Sequence, residues 1–326
     1  MHSEQILFLC SSLVSRLING NKILSTESIK KILVIKLDEI GDMIYMLHVL
    51  EALKEEYPEA RIDVMSRSLN ISLVESKGIE NVITDGNIPG GRYDVILDMR
   101  GTWGTMFQSL LRKCRFRYDR GTIRLKNKLD NGQLHERITN WEIAKPILDS
   151  AEYRDPTLSC TEEERLELDL TLQATGITKG QYALMHTGAR DPIRRWPAER
   201  FLELSKRLFE QKGMRTVICG GPEESAEIDA NFTADHILNL AGETNLLQLS
   251  DLCAHAKIFI GNESGPLHFA VINKTPLVGL FGAGVKDVFY PYNENQVVLH
   301  KLELPLEDRL KAISVDEVWN ALPEGV

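Results

Sequence analysis

Near residue 260 the chain reads IFIGNESGPLHFA (258–270), an apolar run that closes on Gly261-Asn262 and is followed at once by Gly265-Pro266. The run has the composition of a buried strand. Gly-Pro starts a helix well, because the missing N–H of proline is no loss in the first turn. A strand end, a glycine and a helix N-terminus together make an anion site, since unpaired N–H groups and the positive end of the helix dipole point into the loop. A phosphate suits it. Glu263 and Ser264 lie beside that loop, and His268 falls on the first turn of the helix. The same residues also fit a plain helix start, with Ser264 as cap, Pro266 as first helical residue and His268 packed in the core. Spacing alone leaves both readings open.

Several other chemistries lose their main support. The turn after the first apolar strand, LDEIGD (37–42), has one glycine where a dinucleotide site needs G-x-G-x-x-G. GLFGAG (279–284) has its three glycines spaced G-x-x-G-x-G after a late strand, which reads as a turn. There is no G-x-x-x-x-G-K-[ST] loop and no G-x-S-x-G elbow. No two aspartates stand at i, i+2, so the Asp-x-Asp pair with which some sugar transferases bind a metal is missing and no metal is expected. Cys10, Cys114, Cys160, Cys219 and Cys253 are odd in number and contain no Cys-x-x-Cys pair, which suggests neither a disulfide framework nor zinc and fits a reducing cytoplasm.

The elements that must position these residues alternate. KILVIK (31–36), ARIDVMS (60–66) and YDVILDM (93–99) read as strands, and Ile44, Leu47, Leu50 and Leu53 recur at helical spacing over 43–55. The second half repeats the pattern, with strands at 182–187, 215–221, 257–262 and 276–282 and a helical stretch at 198–213. This predicts α/β architecture, parallel sheets with helices on both faces, in two Rossmann-like halves. At 326 residues two domains are expected, 1–160 and 161–326, with the acidic stretch 159–177 as their junction. A last helix, 315–323, is free to pack back on the N-terminal domain. The net charge of −9 disfavours nucleic acid as a partner. Residues 5–18 are too short, and too broken by serine and Arg16, to span a bilayer, and are expected to form an amphipathic helix lying on the protein or on a membrane surface.

Four ordered motifs carry a resemblance to glycosyltransferase family 9, the lipopolysaccharide heptosyltransferases. GNESGPLHFA (261–270) resembles the Gly-Asn-Asp-[Ser/Thr]-Gly-Pro-x-His signature, and KLDEIGDMIYMLHVLEAL (36–53) the N-terminal Gly-Asp motif. HTGARDPIRRWPAERFLEL (186–204) resembles the His-x-Gly…Lys-x-Trp-Pro segment, while CGGPEESAEI (219–228) and LAGETNLLQLSDLCAHA (240–256) agree in kind and order. The resemblance runs from about residue 31 to the end. It implies a GT-B arrangement of two facing Rossmann-like domains with an interdomain cleft, inversion at the anomeric carbon, no cofactor or metal, and ADP-heptose as donor. Two positions depart from the family: Glu263 stands for its aspartate, and Arg194 or Arg195 for its lysine. Both keep charge and change geometry.

By that resemblance Asp42 is the base that deprotonates the acceptor, with Asp38 as the second carboxylate; the residues alone also allow Asp42 to be an N-cap. Thr187 and Gly188 would let backbone approach the donor phosphates, Arg194 or Arg195 would meet the leaving diphosphate, and Glu224 or Glu223 would accept from ribose hydroxyls. Glu263 would contact the sugar, Ser264 and Gly265 the phosphate, and His268 completes the donor set. Independently of the family, nine basic residues between Arg100 and Lys128, Arg115, Arg117 and Arg120 among them, face the single acid Asp119. That asymmetry suits an anionic glycolipid acceptor and contact with the inner membrane surface. A nucleotide-sugar epimerase or a non-catalytic nucleotide-sugar binder are the competing readings.

Overall fold

The computed structural model describes residues 3–20, 29–84, 86, 90–129, 134–282 and 288–326, with backbone only at 128, 129, 227 and 229. The chain divides into two compact units, the first ending at Pro156 and the second starting at Thr157, a few residues before the expected boundary. Phe289 belongs with the first unit.

In the first unit β1 (Lys31–Lys36), β2 (Arg61–Ser66), β3 (Asn81–Ile83), β4 (Tyr93–Asp98) and β5 (Cys114–Asp119) form one sheet in the order β3-β2-β1-β4-β5, every pairing parallel. Central β1 reads as unbroken apolar sequence because a parallel sheet is covered on both faces, and Ile32 to Ile35 are wholly buried. The helices are α1 (Ser3–Asn19), α2 (Ile40–Ile44), α3 (Leu47–Glu56), α4 (Ile71–Glu75), α5 (Trp103–Leu110), α6 (Arg120–Leu129) and α7 (Glu136–Ala144). The single helix expected over 43–55 is broken at Tyr45-Met46. Buried Asn140 donates to the Tyr45 carbonyl at 2.8 Å and so satisfies the break.

The second sheet holds β6 (Tyr182–His186), β7 (Arg215–Cys219), β8 (Ile237–Asn239), β9 (Ile258–Asn262), β10 (Leu277–Phe281) and β11 (Gln296–His300) in the parallel order β11-β10-β9-β6-β7-β8. Its helices are α8 (Glu162–Ala174), α9 (Ala198–Lys212), α10 (Ser225–Asn231), α11 (Leu246–His255), α12 (Gly265–Ile272) and α13 (Val315–Asn320). Gly213, at φ 65°, closes α9 in the left-handed conformation that glycine takes without strain. One expectation needs correcting. The acidic stretch 159–177 is no linker: Thr161 and Glu164 form a capping box, and α8 starts there inside the second unit. The terminal helix packs into the core of its own unit. Val315 and Val318 enter the core beside Phe201, Leu204 and Leu208 of α9, and Arg207 lies 4.3 Å over the Trp319 ring. Of GLFGAG, Gly279 lies within β10, and its last two residues fall outside the described ones.

The strand β5 was read as part of a basic surface, and its CRFRYD pattern explains why: charge alternates with aromatics as on a half-exposed strand. Arg117 is nevertheless fully buried. Its guanidinium donates to Asp98 at 2.8 Å, to Ser15 at 2.7 Å and to Ser109 at 3.0 Å, and Asp119 lies 3.2 Å away. Burial pushes the Asp98 carboxyl up, against the pull of Arg117. One side chain thereby fastens α1, α5, β4 and β5 together. Removing it leaves two buried carboxylates without their cation, which costs about 3–5 kcal/mol. Arg117→Ala is therefore expected to lower the denaturant midpoint markedly and to speed amide exchange along α1; a variant that unfolds with the parent and keeps α1 protected would show that Arg117 is not this fastener.

Candidate functional site

Chemistry gathers at the C-terminal ends of the strands of each unit, the usual position for ligands in open α/β sheets. In the first unit Lys36 ends β1 fully buried, with its ammonium 2.7 Å from Glu136 and 3.3 Å from Asp38. Glu136, on the first turn of α7, also accepts from Arg120 at 2.7 Å, and Arg124 stands 3.6 Å away. Burial would raise the Glu136 carboxyl, but Lys36 and Arg120 outweigh it and hold the group far below the usual carboxylate range. Asp38 is claimed from both sides, by Lys36 and by Arg100.

Asp42 stands apart from these pairs. It lies inside α2, whose N-cap is Glu39, so the capping reading of Asp42 falls away. Among the described residues its carboxylate enters no hydrogen bond or ion pair. Burial pushes it up to about 6; Lys36 and Arg120 pull against this, while Asp38 and Glu136, as like charges, add to it. A carboxylate with that value is ionised at neutral pH yet more basic than an ordinary aspartate, which suits proton abstraction. Asp38, by contrast, is paired with two cations, Lys36 and Arg100.

The three arginines expected to hold an acceptor do not share a face. Arg117 is the buried fastener described above, and its guanidinium is fully engaged inside the core. Arg120 belongs to the cluster beside Asp42, bound to Glu136 and to the Met99 carbonyl. Arg115 lies near the start of β5, over the Phe116 ring, some 13 Å or more along the strand from Asp119 at about 3.3 Å per residue. A count of charges along the sequence could not show that strand alternation and strand direction scatter them. The side chain of Lys128 lies outside the described residues.

In the second unit, buried Asn262 at the end of β9 carries the geometry. Its amide nitrogen donates to the carbonyls of Thr187 at 2.8 Å and Gly188 at 3.2 Å, and its oxygen accepts from Trp196 N–H at 3.0 Å. The 187–196 loop is thereby pinned to β9. Next to it the His186 ring bridges Ser264, 2.8 Å from Nδ1, and Glu224, 3.2 Å from Nε2. Glu224 also accepts from Gly221 N–H at 2.9 Å. Burial raises the Glu224 carboxyl, but the hydrogen bond and charge of His186 prevail and hold it below its ordinary value. A Cβ at Gly188 would stand 1.5 Å from a Glu224 carboxylate oxygen, so a side chain there would push Glu224 away from His186 and Gly221. Ser264 is the N-cap residue of α12 by backbone, yet its hydroxyl bonds His186 and the Asn262 carbonyl rather than the helix. The α12 N–H groups therefore keep no side-chain cap, and Gly265 begins that helix. His268 is almost wholly buried, and Glu263 is tied to β10 through its backbone N–H.

The structure separates Arg194 from Arg195. Arg195 Nε donates to the Ala189 carbonyl at 2.9 Å, and its charge reaches Glu224. It lines a cavity of about 490 Å³ together with Thr187, Trp196 and Phe232, whereas Arg194 ends a short 3₁₀ turn and does not line it. Sequence reasoning assigned no part to Lys36, Glu136, His186 or Asn262. Each of Lys36, His186 and Asn262 is a polar residue closing an apolar strand, and that was the signal available.

Two parallel-sheet Rossmann-like units, each with polar side chains gathered at the C-terminal ends of its strands, make the fold of the GT-B class. A family model, glycosyltransferase family 9 (heptosyltransferase), matches residues 87–316, and the chain belongs to that family. Lipopolysaccharide heptosyltransferase 3 of Escherichia coli strain K12 is 27% identical over 293 residues, 78% of this chain and 83% of its own length. Lipopolysaccharide heptosyltransferase 2 of Salmonella typhimurium LT2 is 27% identical over 314 residues, 82% of this chain and 87% of its own. Among solved structures, the E. coli ADP-heptose LPS heptosyltransferase II superposes with a TM-score of 0.66 at 23% identity, covering 89% of this chain and 97% of its own. The E. coli heptosyltransferase WaaC with ADP-2-deoxy-2-fluoro heptose gives 0.64 at 18% identity, with 89% and 98% covered.

Replacing Asn262 by Asp keeps an acceptor for Trp196 N–H but sets a carboxylate against two carbonyls. Asn262→Asp is expected to lower stability by about 1–3 kcal/mol and to speed amide exchange over 187–196, since the Thr187 and Gly188 carbonyls lose their hydrogen bonds. Unchanged exchange over that loop would mean that Asn262 does not pin it.

Proposed function

We propose that the chain transfers heptose from ADP-heptose to a lipopolysaccharide core acceptor, with inversion and without a metal ion, at the cytoplasmic face of the inner membrane. The observation that carries the chemical part is Asp42: a half-buried carboxylate that caps nothing, pairs with nothing among the described residues and is pushed up to about 6. In the reaction the acceptor hydroxyl gives its proton to Asp42. Its oxygen forms a bond to the anomeric carbon from the face opposite the leaving group, and the bond from that carbon to the phosphate oxygen breaks to release ADP. Negative charge grows on the departing diphosphate, where Arg195 and the uncapped N–H groups of α12 would receive it. Glu224 would hold ribose hydroxyls, and Glu263 and His268 would contact the sugar. The names and titles of the relatives support heptose, ADP and lipopolysaccharide as the substrate classes.

Purified protein given ADP-heptose and lipopolysaccharide lacking its heptoses should add one heptose by mass spectrometry, with inverted anomeric configuration by NMR and undiminished rate in chelator. Release of ADP only with acceptor present separates transfer from epimerisation, and loss of the product in chelator with recovery in magnesium would overturn the metal-free route. Asp42→Asn should lower the turnover rate about 10²- to 10⁴-fold with little change in ADP affinity. The folded carboxyl sits near 6 against an ordinary 3.8, so its ionised form disfavours the fold above that window and its protonated form does not. The asparagine variant should therefore melt at or above the parental temperature at pH 8, by an amount on the order of 1–2 kcal/mol in stability, with the gain lost below about pH 4. A fully active variant would remove Asp42 from the mechanism.

A further inference from the structure

Helix α1 is amphipathic in an inverted sense. Its packed face is Leu7, Ser11, Ser12 and Ser15, all buried, while Ile6, Leu9, Leu13 and Leu17 point to solvent, Leu17 at 83% exposure. At 3.6 residues per turn those four side chains fall within about a quarter of the helix circumference, opposite the serines. The helix is locked in this roll. Ser11 and Ser15 bond the buried Arg117 guanidinium, and Ser15 bonds Asp119 at 2.5 Å, so turning the leucines inward would strip a buried cation of its partners.

The same guanidinium bonds Ser109 of α5, so α1, which packs on β5 and α6, and α5 are pinned to one buried side chain. There Trp103 and Phe107 stack at 6.3 Å in the open, Leu110 is exposed, and Leu111 just beyond is 82% exposed. Eight of the thirteen exposed large hydrophobic residues among the described ones lie in these two stretches. The charges beside them are Arg16 on α1, and Arg112, Lys113 and Arg115 after α5; the one acid of α1, Glu4, falls on the serine side of the helix, and 99–118 holds no Asp or Glu although the chain carries −9 in all. A second copy of this chain would set like charges against each other across a two-fold interface.

We propose that the α1–α5 face is a docking surface for an anionic lipid bilayer. The leucines and the Trp103–Phe107 pair enter the boundary between headgroups and acyl chains, and the four cations meet lipid phosphates. This rests on α1 and α5 and not on the identity of the sugars transferred.

The test is flotation of the full chain with vesicles of equimolar phosphatidylglycerol and phosphatidylethanolamine, beside vesicles of phosphatidylcholine alone, none containing saccharide. Strong binding to the anionic vesicles is expected, weaker binding to the neutral ones, and a fall with added salt. The double substitution Leu13→Gln with Leu17→Gln should weaken the anionic binding about tenfold or more at an unchanged melting temperature, because both side chains are already in water. Phe107→Ser carries the same test should the double variant melt early. Absence of binding by the parent, equal binding by the variants, or a parental dimer that the same substitutions dissolve without any vesicle binding would each overturn the proposal. ADP affinity, measured alongside, reports on donor binding separately.

Discussion

Glu136 is the constraint on which the first strand-end site depends. One wholly buried carboxylate faces the ammonium of Lys36 and the guanidinium of Arg120, with Arg124 close by. Without it, three cations would crowd the ends of β1 and β5 and pull Asp42 down. With it, their charge is spoken for, and burial decides the basicity of Asp42. Breaking such a buried pair on one side is costly, so the cluster is held as a unit or not at all.

The second unit solves a different problem with the same economy of means. The loop after β6 is largely bare backbone at Thr187-Gly188, and bare backbone does not hold its own shape. Asn262 supplies the shape by bonding Thr187, Gly188 and Trp196 from a neighbouring strand, and Glu224 fills the space that a side chain at position 188 would take. His186 ties the hydroxyl at the start of α12 to that carboxylate. Glu263 and Arg195 thus sit in a frame whose other parts are fixed by geometry.

Strands buried on both faces were legible because their apolar runs have no other use: β1, β2, β4, β6, β7, β9 and β10 stand where the sequence reading put them, within a residue or two. Short edge strands were not. β3 and β8 have three residues each, and β5 hides its buried arginine in a pattern of surface character. The motif residues at strand ends could be named, but the partners that give them their properties come from elsewhere in the chain. Glu136 is a hundred residues from Lys36, and no periodicity joins them. The same distance explains the misreading of Arg117, whose serine and aspartate partners on α1, α5, β4 and β5 only the fold assembles.

The central claim is that burial within a neutralised charge cluster, and not a direct partner, sets Asp42. Titrating the Asp42 carboxyl by ¹³C NMR, in the parent and in Glu136→Gln, tests it most directly. A midpoint near 6 in the parent, falling when Glu136 loses its charge and leaves Lys36 and Arg120 unopposed, is the result this account predicts. A midpoint near 4 that ignores the substitution would contradict it.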